Sequence, residues 1–153
     1  MITFSEQFQT SMGKPIDFEG RKVYPIFTID LDSEVEFSLL WKNSNSNFKQ
    51  GIQIKIDKGT IEVNDEKLSS IVLWQDTCPE KISLRCMPKK NAKLKVWNVW
   101  QVDDLVQAWV GNSGIEIEKY EDGEYRLNCS DGPGAPDFGN TTFELKFPYD
   151  VSF

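Results

Sequence analysis

Apolar and polar residues alternate with a period of two along most of this chain. Residues 36–42 place Phe37, Leu39 and Trp41 on one side and polar or charged side chains mostly on the other. Similar alternation recurs in residues 52–56, 61–63, 81–86, 94–101, 105–110, 115–118, 125–129 and 143–147. Because successive strand residues point to opposite faces, this pattern predicts antiparallel strands with one buried and one solvated face.

Clusters of Asn, Asp, Gly and Pro separate these stretches, for example residues 57–59, 121–123 and 131–134. Such clusters favour turns. About ten short strands joined by short turns predict an all-β fold, an antiparallel β-sandwich of jelly-roll-like type. The nearest approach to a helical pattern is residues 5–12, so we expect little or no helix.

The length of the chain suits one domain, and we expect residues 1–153 to form it because no repeat or linker divides them. The 24 acidic and 17 basic residues give a formal net charge of −7. This sign argues against a nucleic-acid partner, because phosphate binding draws on clustered Lys and Arg. No apolar run approaches the roughly 20 residues of a membrane helix, so we expect no membrane partner.

The first residues contain no basic stretch followed by an apolar one, so no signal peptide is visible and we expect a cytoplasmic protein. The three cysteines are an odd number without regular spacing, which does not indicate a disulfide framework. Strand parity places Cys86 and Cys129 inward, either as free thiols or as a bridged pair. No nucleotide-binding glycine motif occurs, and we expect no cofactor.

The chain contains no histidine. Histidine is the commonest general base and metal ligand, so Ser-His-Asp and Cys-His catalysis and histidine zinc sites are excluded in their usual forms. A carboxylate-dependent hydrolase remains as an interpretation, and it needs two acids about 5–9.5 Å apart in a cleft. Asp103 and Asp104 point to opposite faces if they lie in a strand, and Glu116 and Glu118 resemble an ordinary solvated row.

Residues 94–110 are predicted to form a hairpin with its turn centred on Asp103. In that register Trp97 lies directly across from Trp109, at a Cβ separation of about 5 Å. The two rings then share a surface bordered by Lys95, Gln101 and Gln107. On the core side we expect Val96, Trp100, Val106, Ala108 and Val110, together with Asn98 as a hydrogen-bonded structural residue.

This tryptophan surface has three interpretations. A carbohydrate can stack on the indole rings while the neighbouring Lys and Gln side chains bind its hydroxyls. The ring pair can instead stabilise the hairpin beneath a covering loop, or form a contact surface for a protein. In general architecture, the short strands and sheet-facing tryptophans resemble carbohydrate-binding modules and other bacterial jelly-roll domains, and that resemblance implies the fold.

The loop at residues 130–140 is the second feature with candidate chemistry. Asp131, Asp137 and Asn140 stand among flexible glycines, and calcium binds six to eight oxygens of this kind. The spacing is not that of an EF-hand loop. We therefore predict no metal and retain these three residues as a candidate calcium set, the alternative being an ordered connection pinned to the core by Phe138.

The sequence predicts a non-catalytic binding or interaction domain whose partner is a carbohydrate or a protein. If the ligand is a small molecule, we expect a sugar on the face of Trp97 and Trp109. The alternative is a structural protein that forms a homo-oligomer through its sheet faces or edges.

Overall fold

The protein is described by a computed structural model that covers residues 2–153. Of the predicted domain 1–153, Met1 lies outside the described residues. Within them the chain forms one short helix and fourteen strands, arranged in two antiparallel sheets that pack together. The predicted all-β antiparallel sandwich is confirmed.

The helix α1 covers Phe4–Thr10. The strands are β1 (Ile16–Phe18), β2 (Arg21–Tyr24), β3 (Phe27–Leu31), β4 (Val35–Ser44), β5 (Lys49–Ile56), β6 (Gly59–Val63), β7 (Glu66–Leu68), β8 (Ser70–Trp74), β9 (Lys81–Pro88), β10 (Ala92–Val102), β11 (Leu105–Gln107), β12 (Gly114–Glu121), β13 (Glu124–Ser130) and β14 (Thr141–Lys146).

The larger sheet has nine strands in the order β1-β2-β12-β13-β14-β4-β9-β6-β7. The smaller sheet contains β11-β10-β5-β8, and β3 also pairs with β10. Strand β3 takes the first half of one edge of β10, from Ala92 to Val96, and β11 takes the end of the same strand, from Trp100 to Val102.

The eight strands from β3 to β10 pair in the order of a jelly roll. The first pairs with the eighth (β3–β10), the second with the seventh (β4–β9), the third with the sixth (β5–β8) and the fourth with the fifth (β6–β7). These pairs alternate between the two sheets, as in a double-sheet jelly roll. The other strands extend the larger sheet beyond β4 and add β11 to the smaller one.

The core lies between the two sheets, where the alternating apolar residues meet. Phe37 and Leu39 of β4 in the larger sheet and Ile52 and Ile54 of β5 in the smaller sheet are all buried in one continuous cluster. Full burial of such a side chain stabilises the fold by about 1.5–3 kcal/mol. Asn98 is also buried, and its Nδ2 donates to the carbonyl of Ser130 at 2.9 Å, which is the structural role expected of it.

The structure has more strands than the ten or so that the sequence suggests. Strands β1 and β7 have three residues each, too few to display a period of two, and β8 is a continuous apolar run in Ile71–Trp74. Strand β3 is different, because Phe27, Ile29 and Leu31 do alternate and are buried. It can be recognised in the sequence by the same rule as the others.

Helix α1 overlaps the expected residues 5–12 and begins one residue earlier. Thr3 caps it, since its hydroxyl oxygen accepts a hydrogen bond from the Glu6 amide. Its buried residue Phe4 packs with Val23 and Phe138 in a small second core. No helix within residues 2–153 has the length and apolar character needed to cross a membrane.

All three cysteines, each in the described part of the chain, are free. Cys86 on β9 and Cys129 on β13 are buried as expected, but β4 and β14 lie between their strands, so the pair does not bridge. Burial raises the pKa of the Cys86 thiol to about 12 and also raises the pKa of the Cys129 thiol. Both thiols are therefore protonated at neutral pH and poor nucleophiles.

Candidate functional site

The hairpin between β10 and β11 has a different register from the predicted one. Val102 pairs with Leu105, so the turn contains the two residues Asp103 and Asp104 rather than being centred on Asp103. A one-residue change in register moves every side chain of a strand to the other face. The prediction for the second arm is therefore wrong for two of its three residues: Val106 lies beside Gln101 and is exposed, and Val110 is also exposed instead of facing the core. Ala108 is half-buried and does pack against the core cluster.

Trp97 and Trp109 contact each other in spite of this shift. Their ring centroids are 4.8 Å apart and their planes are inclined by 35°. Trp109 lies beyond the end of β11 and reaches Trp97 from a left-handed backbone with a φ of +59°. Trp97 is only 5% exposed, whereas Trp109 is 46% exposed. The pair therefore presents one exposed indole on a buried indole, rather than two exposed rings side by side.

The backbone of Trp109 is unusual for so large a side chain. A positive φ brings Cβ of an ordinary residue close to the following carbonyl oxygen, at a cost of about 1–2 kcal/mol. The indole N–H of Trp97 is buried and has no hydrogen-bond partner within the described residues. The contact between the two side chains is therefore a contact of their rings, without a hydrogen bond from the Trp97 indole N–H.

Trp109 forms one wall of a groove of about 370 Å³. The rest of the lining comes from the helix and its end and from the segment before β3, in Ser5, Phe8, Gln9, Gly13, Pro25 and Ile26. The Ser5 amide donates to the Gly111 carbonyl at 2.9 Å, and the Phe4 amide donates to Asn112 Oδ1 at 3.3 Å. These bonds fix the helix to the Trp109 segment, so the groove is formed before any ligand arrives. Its volume lies within the range of small-molecule sites.

A third tryptophan, Trp74, lies on the same sheet face as Trp97, although it is not among the residues predicted for the site. Trp74 of β8 pairs with Gly51 of β5, which pairs in turn with Val99 two residues from Trp97. A Cβ atom at Gly51 would lie 2.7 Å from Cε3 of Trp74, so the indole lies directly over the glycine. The signal in the sequence is the glycine inside a strand, which often marks a close approach of another group.

Of the three polar residues of the predicted site, Lys95 and Gln101 lie on the face of Trp97 and Gln107 does not. Lys95 shares the face of Trp97 and stands directly opposite Lys55 of β5, where like charges repel. Gln101 lies on that face too, but its Nε2 donates to the Asp103 carbonyl at 2.9 Å. Gln107 lies beside Trp100 on the inward side, so the structure does not bring it to the tryptophan surface.

The candidate calcium residues form a hydrogen-bonded network. Asp131 is only 3% exposed, and its Oδ2 accepts from Ser46 Oγ at 2.6 Å and from Gln50 Nε2 at 3.0 Å. Asn140 Oδ1 accepts from the Asp131 amide, and Asp137 Oδ1 accepts from the Gly139 amide. Among residues 2–153, no group of three or more His, Cys, Asp or Glu side chains could hold a metal ion. These contacts support an ordered connection between β13 and β14.

Comparison of this chain with protein-family models, with curated protein sequences and with solved structures found no match.

Proposed function

We propose that this protein is a non-catalytic binding domain that holds a carbohydrate against Trp109. The exposed indole in the wall of the preformed groove is the observation that carries this proposal. Sugar rings present apolar C–H faces that stack on flat aromatic rings. The Ser5 hydroxyl and the Gln9 amide line the same groove and can exchange hydrogen bonds with sugar hydroxyls.

The strained backbone of Trp109 supports a functional role for this side chain. Unfavourable backbone conformations cluster at binding sites, where the surrounding structure holds them in place. Here the constraint comes from Trp97 beneath the ring and from the hydrogen bond between Ser5 and Gly111. A ring held in this way loses little conformational freedom when a ligand stacks on it, which favours affinity.

The non-catalytic part of the proposal is supported by the chemistry of the chain. It has no histidine, and two of its three thiols are buried and protonated at neutral pH. One carboxyl pair does interact, since a hydrogen bond to Glu124 raises the pKa of Glu121. These two acids face each other where β12 turns into β13, away from the groove of Trp109. They do not form the cleft that a carboxylate hydrolase requires.

The first test is a titration of the protein with a panel of neutral mono- and oligosaccharides, followed by tryptophan fluorescence and calorimetry. We expect saturable binding of at least one sugar to the wild type. Trp109→Ala removes the stacking surface and should weaken binding at least about fivefold, since one stacked aromatic ring contributes about 1–3 kcal/mol in comparable nucleobase complexes. Trp109→Phe keeps an aromatic face and should bind with intermediate affinity.

Val110→Ala is the matched control, because Val110 is a neighbouring apolar residue with almost the same exposed fraction as Trp109. It should leave sugar affinity unchanged. The proposal fails if no sugar in the panel binds, or if Trp109→Ala binds as well as the wild type.

A second candidate function is supported by a different observation. Four large apolar side chains are exposed within residues 105–110, namely Leu105, Val106, Trp109 and Val110. Contiguous exposed apolar groups mark protein contact surfaces. They lie on or next to β11, a three-residue edge strand whose outer backbone groups can pair with another chain. A homo-oligomer formed through this hairpin is the corresponding structural role.

The mass in solution tests the second function. If the hairpin forms a dimer, the wild type should elute at twice its 17.6 kDa chain mass in size-exclusion chromatography with light scattering. Leu105→Ser should then convert it to the monomer, because Leu105 is the most exposed of the four residues. A monomer at all concentrations would reject this candidate and leave the carbohydrate proposal untouched.

Nucleic acid and membrane surfaces are not among the proposed partners, because the net charge of −7 opposes binding to polyanions. A cytoplasmic location also remains a proposal. Three free cysteines are compatible with it, since reducing compartments keep thiols in that form.

A further inference from the structure

The outward face of the larger sheet carries a buried carboxylate. Glu144 lies on β14 between the core residues Phe143 and Leu145, so its own side chain points away from the core. It is nevertheless only 3% exposed. An ionised group is found buried in this way when charged partners surround it.

Two cations and a tyrosine cover Glu144. Its Oε2 accepts from Nε and Nη2 of Arg126 at 3.0 and 2.8 Å, and its Oε1 lies 3.5 Å from Nζ of Lys42. Burial alone would raise the pKa of Glu144, but the hydrogen bonds from Arg126 and Tyr120 and the charge of Lys42 bring it below its ordinary value. Glu144 is therefore ionised at neutral pH, and its negative charge is shared between Lys42 and Arg126.

The guanidinium of Arg126 is held in one orientation by these contacts. Its Cζ lies 5.2 Å from the ring centroid of Tyr120, in addition to the two hydrogen bonds to Glu144. The Nη1 atom has the weakest contact of the three guanidinium nitrogens. The nearest carboxylate oxygen to it, Oε2 of Glu118, is 3.9 Å away, and the Glu118 side chain is about half exposed. Fixing Nε and Nη2 leaves Nη1 as a pre-oriented donor.

A β-bulge in β4 places two further hydrogen-bond donors, Lys42 and Asn43, beside Arg126. Phe143 pairs with Trp41 and Thr142 pairs with Asn43, so Lys42 is an extra residue in β4. In a regular strand Lys42 and Asn43 would point to opposite faces, whereas here both line the same cleft. Bulges are used in this way to redirect side chains next to functional sites.

The resulting cleft has a volume of about 400 Å³ and is lined by Lys42, Asn43, Arg126, Asn128 and Thr142. The last two of these use their polar groups on each other, since Thr142 Oγ1 donates to Asn128 Oδ1 at 3.3 Å. Asn128 Nδ2 in turn donates to Glu116. The lining therefore offers the Lys42 ammonium, the Asn43 side-chain amide and Nη1 of Arg126, the last with the Glu118 carboxylate 3.9 Å away, and these donors suit a ligand that accepts hydrogen bonds.

We propose that this cleft binds an oxyanion, the carboxylate or phosphate group of a small ligand, between Lys42, Asn43 and Arg126. The site belongs to the sheet opposite Trp109 and does not depend on the function proposed above. Charge-assisted hydrogen bonds of this kind are the stronger ones in proteins. The net negative charge of the whole chain opposes anions at long range, but salt screens that effect beyond about 8 Å at physiological ionic strength.

The test is an NMR titration of the ¹⁵N-labelled protein with sodium phosphate and, separately, with sodium acetate, at constant ionic strength maintained with sodium chloride. We expect saturable shifts confined to Lys42, Asn43, Arg126 and Thr142, including the side-chain amide of Asn43. Tighter binding of phosphate than of acetate would assign the site to phosphate-bearing ligands, and the reverse order to carboxylates. Glucose, as a neutral probe, should not shift these signals.

Lys42→Gln should raise the dissociation constant for the preferred anion at least about tenfold. Lys146→Gln removes the same charge from the same sheet face, where Lys146 pairs with Glu124 outside the cleft, and should change the constant less than about twofold. Shifts that do not saturate, or equal losses in the two variants, would overturn the proposal and indicate only general charge attraction.

Discussion

Replacing Trp100 by alanine should lower the free energy of unfolding by about 3–5 kcal/mol, the usual cost of emptying the space of a buried aromatic ring. Trp100 is 1% exposed and is among the largest fully buried side chains of the described residues. Its ring lies against the backbone of Gly132, where an added Cβ would be 2.5 Å from Cζ2 of the indole. Removing the ring therefore removes contacts between β10 and the loop after β13. Urea unfolding followed by far-ultraviolet circular dichroism measures it.

Trp109→Ala is the control for this variant, because the same chemical change is made at a ring that is 46% exposed. It should cost about 0.5–1.5 kcal/mol, the contribution of one aromatic pair. Equal losses in the two variants would contradict the close packing of the buried Trp100 ring. An unchanged denaturant slope is needed for the comparison, since a change in slope reports a different unfolded or native state.

Gly111→Ala is the second substitution with a large expected effect. Gly111 has a φ of +59°, and an added Cβ would lie 2.4 Å from the carbonyl oxygen of Gly132. That carbonyl accepts the hydrogen bond of the Asn112 amide, and the Gly111 carbonyl accepts that of Ser5. Displacing either of these two loop segments should loosen helix α1. We expect the free energy of unfolding to fall by about 3 kcal/mol or more.

Gly134 offers a matched control for the backbone conformation alone. Its φ is +77°, but an added Cβ would meet nothing within 4 Å. Gly134→Ala should therefore cost only about 1–2 kcal/mol, from the left-handed conformation. The difference between the two variants, measured by urea unfolding, isolates the steric conflict at Gly111. A difference near zero would contradict the close approach of the two loops.

Alternation of apolar residues was sufficient to predict the architecture. It identifies β4 and β9 directly, because each has one face in the core and one largely in solvent, and it identifies β13 and β14 from their alternating residue types although their outward faces are partly or wholly buried. It is less informative for β10, where Trp97, Asn98, Val99 and Trp100 are all buried. Other groups cover the outward face of this strand, so burial there is continuous and periodicity cannot separate the two faces.

The candidate site depended on details that periodicity does not contain. The contact between Trp97 and Trp109 arises from the irregular backbone of Trp109 after β11, and no strand register places it there. A turn of two residues and a turn centred on one residue differ by one residue in register, so they place each side chain of the second arm on opposite faces of the sheet. The predicted faces of Val106 and Gln107 are wrong for this reason. The groove itself requires helix α1, which lies about a hundred residues earlier in the chain, as the bond from Ser5 to Gly111 indicates.

The nested pairing of β3–β10 has a consequence for the kinetics of folding. Closing the contact between Phe27 and Val96 in an unfolded chain costs more entropy than closing the β6–β7 hairpin, whose strands are joined at Asn64 and Asp65. Each inner pair, once formed, shortens the loop that the next pair must close. Folding should therefore proceed outward from β6–β7, so that changes in this hairpin slow refolding while changes in β3 mainly accelerate unfolding.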